Sequence, residues 1–170
     1  MQPVRTADPT PERFRQVLGR FATGVGVLTT VVDGLVHGMT ANAVTSVSLD
    51  PPLVLVCVGR TALMAERVTR SGCFAISFLA AEQQGLSAWF ADPSRPDDAR
   101  QFAGVPTRVA ATGAPVIEGG VGFVDCHVHA VHDGGDHLIV VGRVQALGEG
   151  GATDPLVYYR SRYGTLSEQP

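Results

Sequence analysis

Apolar residues recur at Phe14, Val17, Leu18 and Phe21, the i, i+3, i+4, i+7 spacing of a single helical stripe. Thr10-Pro11 is its start signal: a capping hydroxyl, then a proline in the first turn, where its missing N–H costs nothing. Gly24 is the expected stop. The period then changes. VGVLTTVV (25–32) is β-branched, Asp33-Gly34 is a two-residue hairpin signal, and Leu35 to Thr40 is the returning strand. LVLVCV (53–58) is a continuous apolar run of strand length, read as buried on both faces. A helix is predicted from Ala62 to about Arg70 with Thr61 as its cap, a strand over 73–79, and a short helix over about 81–90. ADPSRPDDARQF is a polar, proline-bearing loop long enough to act as a lid or partner contact. Two long strands follow, 121–133 and 137–147, joined at Gly134-Gly135.

Six or more strands, three helices and hairpin connections argue against a doubly wound sheet. They favour a mainly β, antiparallel barrel with peripheral helices. One domain over 10–165 accounts for the pattern, with a flexible leader over 1–9 and a tail over 166–170.

Composition narrows the function. The chain has 170 residues, 45% hydrophobic and 17% charged, which is apolar-rich and charge-poor. That balance suggests apolar surface shared between subunits, hence a homodimer. A net charge of −3 with scattered basic residues gives no electrostatic footprint for nucleic acid. No apolar run reaches the ~18 residues of a membrane span, and the N-terminus has no signal-peptide core, so the expected location is the cytoplasm. Cys57, Cys73 and Cys126 lie in apolar runs without CxxC spacing and read as small buried hydrophobes.

Between two strands lies GMTANAVTSVSLDPP (38–52), with almost no charge and no bulk. Small side chains let a ligand approach the backbone, and hydroxyls and one amide add directional donors. A solvated Ser/Thr loop has the same composition. Val58-Gly59-Arg60-Thr61 before a helix offers a glycine, a guanidinium, a hydroxyl and a helix start, the parts of a phosphate cradle; an ordinary strand–helix turn uses the same residues. The two segments bracket one strand, so a ring ledge and a phosphate cradle are expected at its opposite ends, roughly 17 Å apart. Asp125, His127 and His129 are spaced to share one strand face. They form either a metal site or simply the polar face of a half-buried strand. Asp136-His137 opens a strand beside a glycine turn, where Asp136 can orient the imidazole. The terminal Tyr158-Tyr159-Arg160-Ser161-Arg162-Tyr163 could stack on a nucleotide base or dock as an amphipathic segment. There is no GxGxxG motif.

Together RFATGVGVLTT, GMTANAVTSVSLDPPLVLVCV, ARQF, GAPVIEG, GDHLIVVGRV and PLVYYRSRYGTL resemble the flavin reductase-like domain family, over about residues 12–165. The resemblance implies a flavin-binding split β-barrel of Greek-key type. It implies an NAD(P)H-dependent flavin reductase that reduces FMN or FAD with NADH or NADPH and supplies a separate flavin-dependent monooxygenase. By position, Thr40, Ala41 and Asn42 would contact the flavin, and Ser46, Val47 and Ser48 would line the ring edge. Cys57, Val58, Gly59, Arg60 and Thr61 would hold the ribityl phosphate. Trp89, Phe90 and Arg100 would close over the flavin, and His137 and Tyr163 would face the nicotinamide nucleotide. Arg60, Arg160 and Arg162 are candidates for a 2′-phosphate. At the phosphate turn Gly59-Arg60-Thr61 departs from the asparagine and paired hydroxyls of many members, and the loop over 91–99 looks lengthened by its prolines. The competing readings are a flavin carrier of the same fold without turnover, a related barrel enzyme of the pyridoxine-phosphate oxidase type, and a metal enzyme built on Asp125, His127 and His129.

Overall fold

The computed structural model describes residues 8–166; residues 1–7 of the expected leader and 167–170 of the expected tail lie outside it. Helix α1 (Pro11–Leu18) begins at Thr10, whose hydroxyl accepts from the Arg13 N–H. It ends at Gly19, five residues before the expected stop, because tight turns at Arg20 and Phe21 break the ladder. Gly24 belongs instead to a short strand, β1 (Thr23–Gly24). Strands β2 (Gly26–Val32) and β3 (Leu35–Ala41) form the expected hairpin, with Asp33 and Gly34 both at positive φ as its two-residue turn requires.

The segment after Ala41 is not a loop. Val44–Leu49 forms strand β4, antiparallel to β5 (Pro52–Gly59), with a register shift at Val47. Nor is β5 buried on both faces. Val56 and Val58 point into the core, while Leu55 and Cys57 are half-buried on the other side. Helix α2 (Leu63–Ser71) starts one residue later than predicted. The tight turn from Gly59 to Ala62 makes Ala62 the N-cap, with no side chain capping it. Gly72, in the left-handed conformation, closes α2 and feeds β6 (Cys73–Phe78). Helix α3 (Gln84–Ala91) follows a 3-10 turn over Ala81–Gln83, and a second such turn covers Ala99–Phe102. The strands β7 (Thr107–Val109) and β8 (Pro115–Ile117) were not anticipated. They precede the long hairpin β9 (Gly122–Gly134) and β10 (His137–Glu149). The C-terminal β11 (Val157–Tyr159) and β12 (Arg162–Gly164) form a last hairpin.

Seven strands make one antiparallel sheet in the order β3-β2-β6-β9-β10-β5-β4, a mainly β split barrel with peripheral helices. Both ends of the order, β3 and β4, come from the low-profile segment and its flank. The core lies under α2. Met64, Ala65 and Val68 from the helix meet Leu28, Val56, Val58, Phe74, Ile76, Cys126 and Val140. Each large apolar side chain removed from water there contributes roughly 1.5–3 kcal/mol before entropy. The β1-β11-β12 sheet ties the end of α1 to the barrel through the Arg160 N–H on Gly19 O, 2.7 Å.

Candidate functional site

The C-terminal end of β3 is the shared wall of three adjoining clefts. Thr40 lines a cleft of about 500 Å³ with Thr61, Met64, Phe90 and Arg95. Thr40 and Asn42 together line a small cleft of about 210 Å³ with Ala91, Tyr158 and Tyr163. Asn42 also lines an apolar cleft of about 560 Å³ with Val44, Thr45, Leu55, Cys57, Tyr158 and residues of α1. The volumes suit a small cofactor.

The wall is held rigidly. Thr40 Oγ1 donates to Ser87 O at 2.6 Å, and Ser87 Oγ lies 3.0 Å from the Tyr163 hydroxyl. Asn42 Nδ2 donates to Thr23 Oγ1 at 3.1 Å, and the Cys57 N–H donates to Ala43 O at 3.0 Å. Tyr158 packs edge-on to Tyr163, with centroids 5.4 Å apart. Gly38 has to be glycine, because Phe90 lies where a side chain would go.

The expected site residues divide. Thr40, Asn42, Cys57, Thr61, Phe90 and Tyr163 line these clefts. Ala41 and Val58 turn into the core, so only their backbone faces outward. Ser46, Val47 and Ser48 lie on β4 opposite Leu53 and Val54. They lie toward the Leu53 end of β5, away from Gly59, whereas Asn42 and Ala43 sit beside Cys57 near the Gly59 turn. Gly59 pairs with His137, and His137 Nδ1 lies 2.7 Å from Asp136 Oδ1, a contact that holds the Asp136 carboxyl below its usual range. Tyr163 lines the small cleft with Thr40 and Asn42, while His137 stands at the Gly59 turn.

Three expectations change. Arg60 is engaged elsewhere: Nη2 pairs with Asp133 at 2.7 Å and Nε donates to Gly135 O at 2.6 Å, tying it to the β9–β10 turn. Arg100 forks onto Asp98, its own N-cap residue, and is exposed. Trp89 donates its Nε1–H to Gln101 O at 2.8 Å and braces the 3-10 turn rather than a cleft.

The metal alternative loses its carboxylate. Asp125 is fully buried and accepts from the Ala111 N–H (2.6 Å), the Thr112 N–H (2.9 Å) and the Thr112 hydroxyl, whereas His127 and His129 are exposed. Residues 111–112 cover the strand face where the histidines were expected to have company. Among the described residues no group of three or more His, Cys, Asp or Glu is placed to hold a metal ion.

One cluster escaped the sequence reading. His37 is buried at the floor of the Thr40–Arg95 cleft, with Nδ1 2.7 Å from Arg67 Nη1. Arg67 also forks onto Asp97 at 2.6 and 2.9 Å. Burial, then the charges of Arg67 and Arg95, lower the His37 pKa to about 4. Arg95 lies across the Phe90 ring and donates to Gly38 O and Asp92 O, but its buried Nε has no partner. The only sequence signal was the Ser-Arg-Pro within the proline-bearing loop. A flavin suits this donor set: an apolar cleft for a ring with hydroxyl and amide groups beside it.

The described helices include none long and apolar enough to cross a membrane. The family model for the flavin reductase-like domain matches residues 18–167. A flavin-dependent monooxygenase reductase subunit, HsaB, from Rhodococcus jostii is 42% identical over 90% of this chain and 76% of its own. An NADH-dependent FAD reductase of Streptomyces globisporus is 45% identical over 84% of this chain and 79% of its own. Among solved structures, BorF, the flavin reductase component of a bacterial two-component tryptophan halogenase, superposes with a TM-score of 0.88 at 39% identity, covering 94% of this chain and all of BorF.

Proposed function

The chain belongs to the flavin reductase-like domain family, and from that premise we propose the reaction it performs and the residues that serve it. It is an NAD(P)H-dependent flavin reductase, reducing FMN or FAD and supplying the reduced flavin to a separate monooxygenase. The observation that carries the site assignment is the run of three clefts joined at Thr40 and Asn42.

When bound, flavin supplies the hydride acceptor for the reduced nicotinamide, so no side chain has to act as a nucleophile. The protein's work is positioning. Thr40 and Asn42 are held by Ser87 and Thr23 and present a fixed edge to the ligand. Leu55, Val44 and the apolar face of α1 exclude water from the wide cleft. Tyr158 and Tyr163 brace the narrow passage. His137, steadied by Asp136, is an orienting group at the Gly59 turn. The assay is nicotinamide oxidation with and without added FMN or FAD. Absence of a flavin-dependent rate with either nicotinamide overturns the reading.

The assembly we assign is a homodimer. No residue of α1 is buried, and Phe14, Val17, Leu18 and Phe21 are 60%, 64%, 49% and 72% exposed. An apolar stripe of that kind on a small protein marks a contact surface. A second copy is the occupant that keeps the adjoining cleft dry in every molecule. Val17→Asp should halve the mass measured by light scattering; an unchanged mass excludes this face. The compartment assigned is the cytoplasm, in keeping with three free cysteines.

A further inference from the structure

We propose that Gln101 is a positioning residue for the flavin site: its buried carboxamide stands in for a neighbouring strand on the free edge of β3 and so fixes the backbone that carries Thr40 and Asn42. The proposal rests on the flavin reductase reading and deepens it by naming what sets the ligand-facing wall.

β3 is a terminal strand of the seven-stranded sheet, so one of its edges has no strand to pair with. The N–H and C=O groups of such an edge point outward on alternate residues. On β3 a side chain meets them. The Gly38 N–H donates to Gln101 Oε1 at 3.0 Å, and Gln101 Nε2 donates to Val36 O at 3.1 Å. An acceptor and a donor thus stand where a neighbouring strand would supply them. The other Nε2 hydrogen goes to Asp98 O at 3.0 Å, so both amide hydrogens and the amide oxygen have partners. Gln101 is fully buried, and Trp89 Nε1 holds its main-chain carbonyl at 2.8 Å. Buried glutamines are uncommon, and this one is fixed at both its side chain and its backbone.

The clamp falls on the most pliant residue of the strand. Gly38 has to be glycine because Phe90 occupies the space of a side chain. Its backbone is therefore the least restricted on β3. Val36 and Gly38 face the free edge, so Thr40 is the next residue to do so. Thr40 and Asn42 line the small cleft together. Without Gln101, an unpaired glycine would precede the ligand wall directly. The amide chemistry is also specific. Two of its three partners are carbonyl oxygens, which require donors, and a carboxylate of the same shape offers none.

The test compares the wild-type protein with Gln101→Met, which keeps an unbranched side chain and removes the three hydrogen bonds. Ser77→Ala is the control for lost stability, because Ser77 Oγ accepts from the Ile117 N–H at 2.8 Å elsewhere in the sheet. Steady-state KM values for riboflavin, FMN and NADH are measured well below each thermal midpoint, with the visible spectrum of bound flavin. Gln101→Met should raise the KM for riboflavin and for FMN alike by about tenfold, because the wall itself moves. It should shift the flavin bands and leave the KM for NADH in place. Ser77→Ala should lower the midpoint while leaving flavin KM and spectrum as they are. Gln101→Glu should do no better than Gln101→Met. An unmoved flavin KM in Gln101→Met, an equal rise in Ser77→Ala, or recovery in Gln101→Glu overturns the proposal. Amide exchange in the wild-type protein reads the same coupling without any variant. The Gly38 N–H should exchange slowly despite its place on a sheet edge, and saturating FMN should slow it further, because coupling between two groups is reciprocal. Exchange at Gly38 indifferent to FMN also overturns the proposal. A wild-type protein without flavin-dependent NADH oxidation removes the reductase reading and this inference together; flavin reduction with a KM independent of Gln101 removes this inference alone.

Discussion

Replacing Gly38 by alanine tests the packing that shapes the Thr40–Arg95 cleft. A Cβ there would lie 2.5 Å from Phe90 Cε1, 2.8 Å from Phe90 Cδ1 and 3.1 Å from Phe102 Cζ. Ordinary carbon contacts begin near 3.5 Å, so the Phe90 ring has to retreat by about 1 Å. It has nowhere easy to go. Phe90 is fully buried, tilted against Phe102 at a centroid distance of 5.1 Å, with the Arg95 guanidinium 6.0 Å from its centroid. Overpacking of this kind costs roughly 1–3 kcal/mol. In a chain of this length that lowers the thermal midpoint by roughly 3–10 °C. Arg95 is tied to Gly38 O, so the same shift disturbs the cleft and should weaken flavin binding. The assay is thermal unfolding and flavin titration of Gly38→Ala, Phe90→Leu and the double variant. Leucine frees the space that the new methyl needs, so the double variant should be more stable than the sum of the single costs by about 1 kcal/mol. An unmoved midpoint in Gly38→Ala, or plain additivity in the double variant, refutes the reasoning.

Lowering the pH should loosen the same corner. The His37 pKa falls from 6.5 to about 4 on folding, so its contribution to stability is complete above 6.5 and lost as the pH drops toward 4. Between pH 7 and pH 5 the wild-type protein should lose about 2 kcal/mol that His37→Gln does not lose; parallel pH profiles for the two would remove His37 as the cause. Cysteine labelling should report the wide cleft. Cys57 is half-buried on its wall, whereas burial pushes the Cys126 thiol up to about 12. Cys57, the most accessible of the three, should therefore be labelled first and be shielded by flavin, with buried Cys73 and Cys126 silent until unfolding; labelling indifferent to flavin would detach Cys57 from the site. Asn42→Asp places a carboxylate on the wall between two clefts and should weaken reduced flavin, which carries negative charge, by about tenfold and oxidised flavin less. Equal effects on both redox states would remove Asn42 from the neighbourhood of the ring.

The legible parts of this molecule were those whose signals are local. Asp33-Gly34 dictated its hairpin because few dipeptides tolerate two positive φ values in succession, and Thr10-Pro11 dictated a helix start for equally local reasons. The stretch from Thr40 to Ser48 reads as a low-profile ledge or a solvated loop, and its sequence does not show that Val44–Leu49 is a strand. Serine and threonine accept an edge strand as readily as a turn, and only pairing with β5 decides between them. Arg60 looked like the phosphate ligand because it lies next to the turn, yet Asp133, more than seventy residues away, claims it. Arg95 went unnoticed because its meaning depends on missing partners, a property of the folded cleft rather than of the Ser-Arg-Pro tripeptide. Asp125 and His127 obeyed strand spacing, but Thr112 and Ala111 cover one and leave the other bare. In each case the deciding fact is which distant residues the fold brings, or fails to bring, to the group.

The exposed stripe on α1 links stability to function. Burying four such side chains in an assembly contributes on the order of 6–10 kcal/mol per copy before costs, within the range that association itself consumes. The helix alone is therefore a thin basis for a dimer, and a lasting contact has to recruit more surface. The β4 edge offers it: Leu49 is 94% exposed and Val47 50%. The same exposed residues form one side of the wide cleft, where Phe14, Leu18 and Phe21 face Asn42, Leu55 and Cys57. A subunit seated on α1 would roof that cleft and lower its dielectric, strengthening each polar contact Asn42 makes with a ligand. Assembly and flavin affinity then rise and fall together, so a substitution on α1 that touches no flavin weakens flavin binding in proportion to the dimer it disrupts.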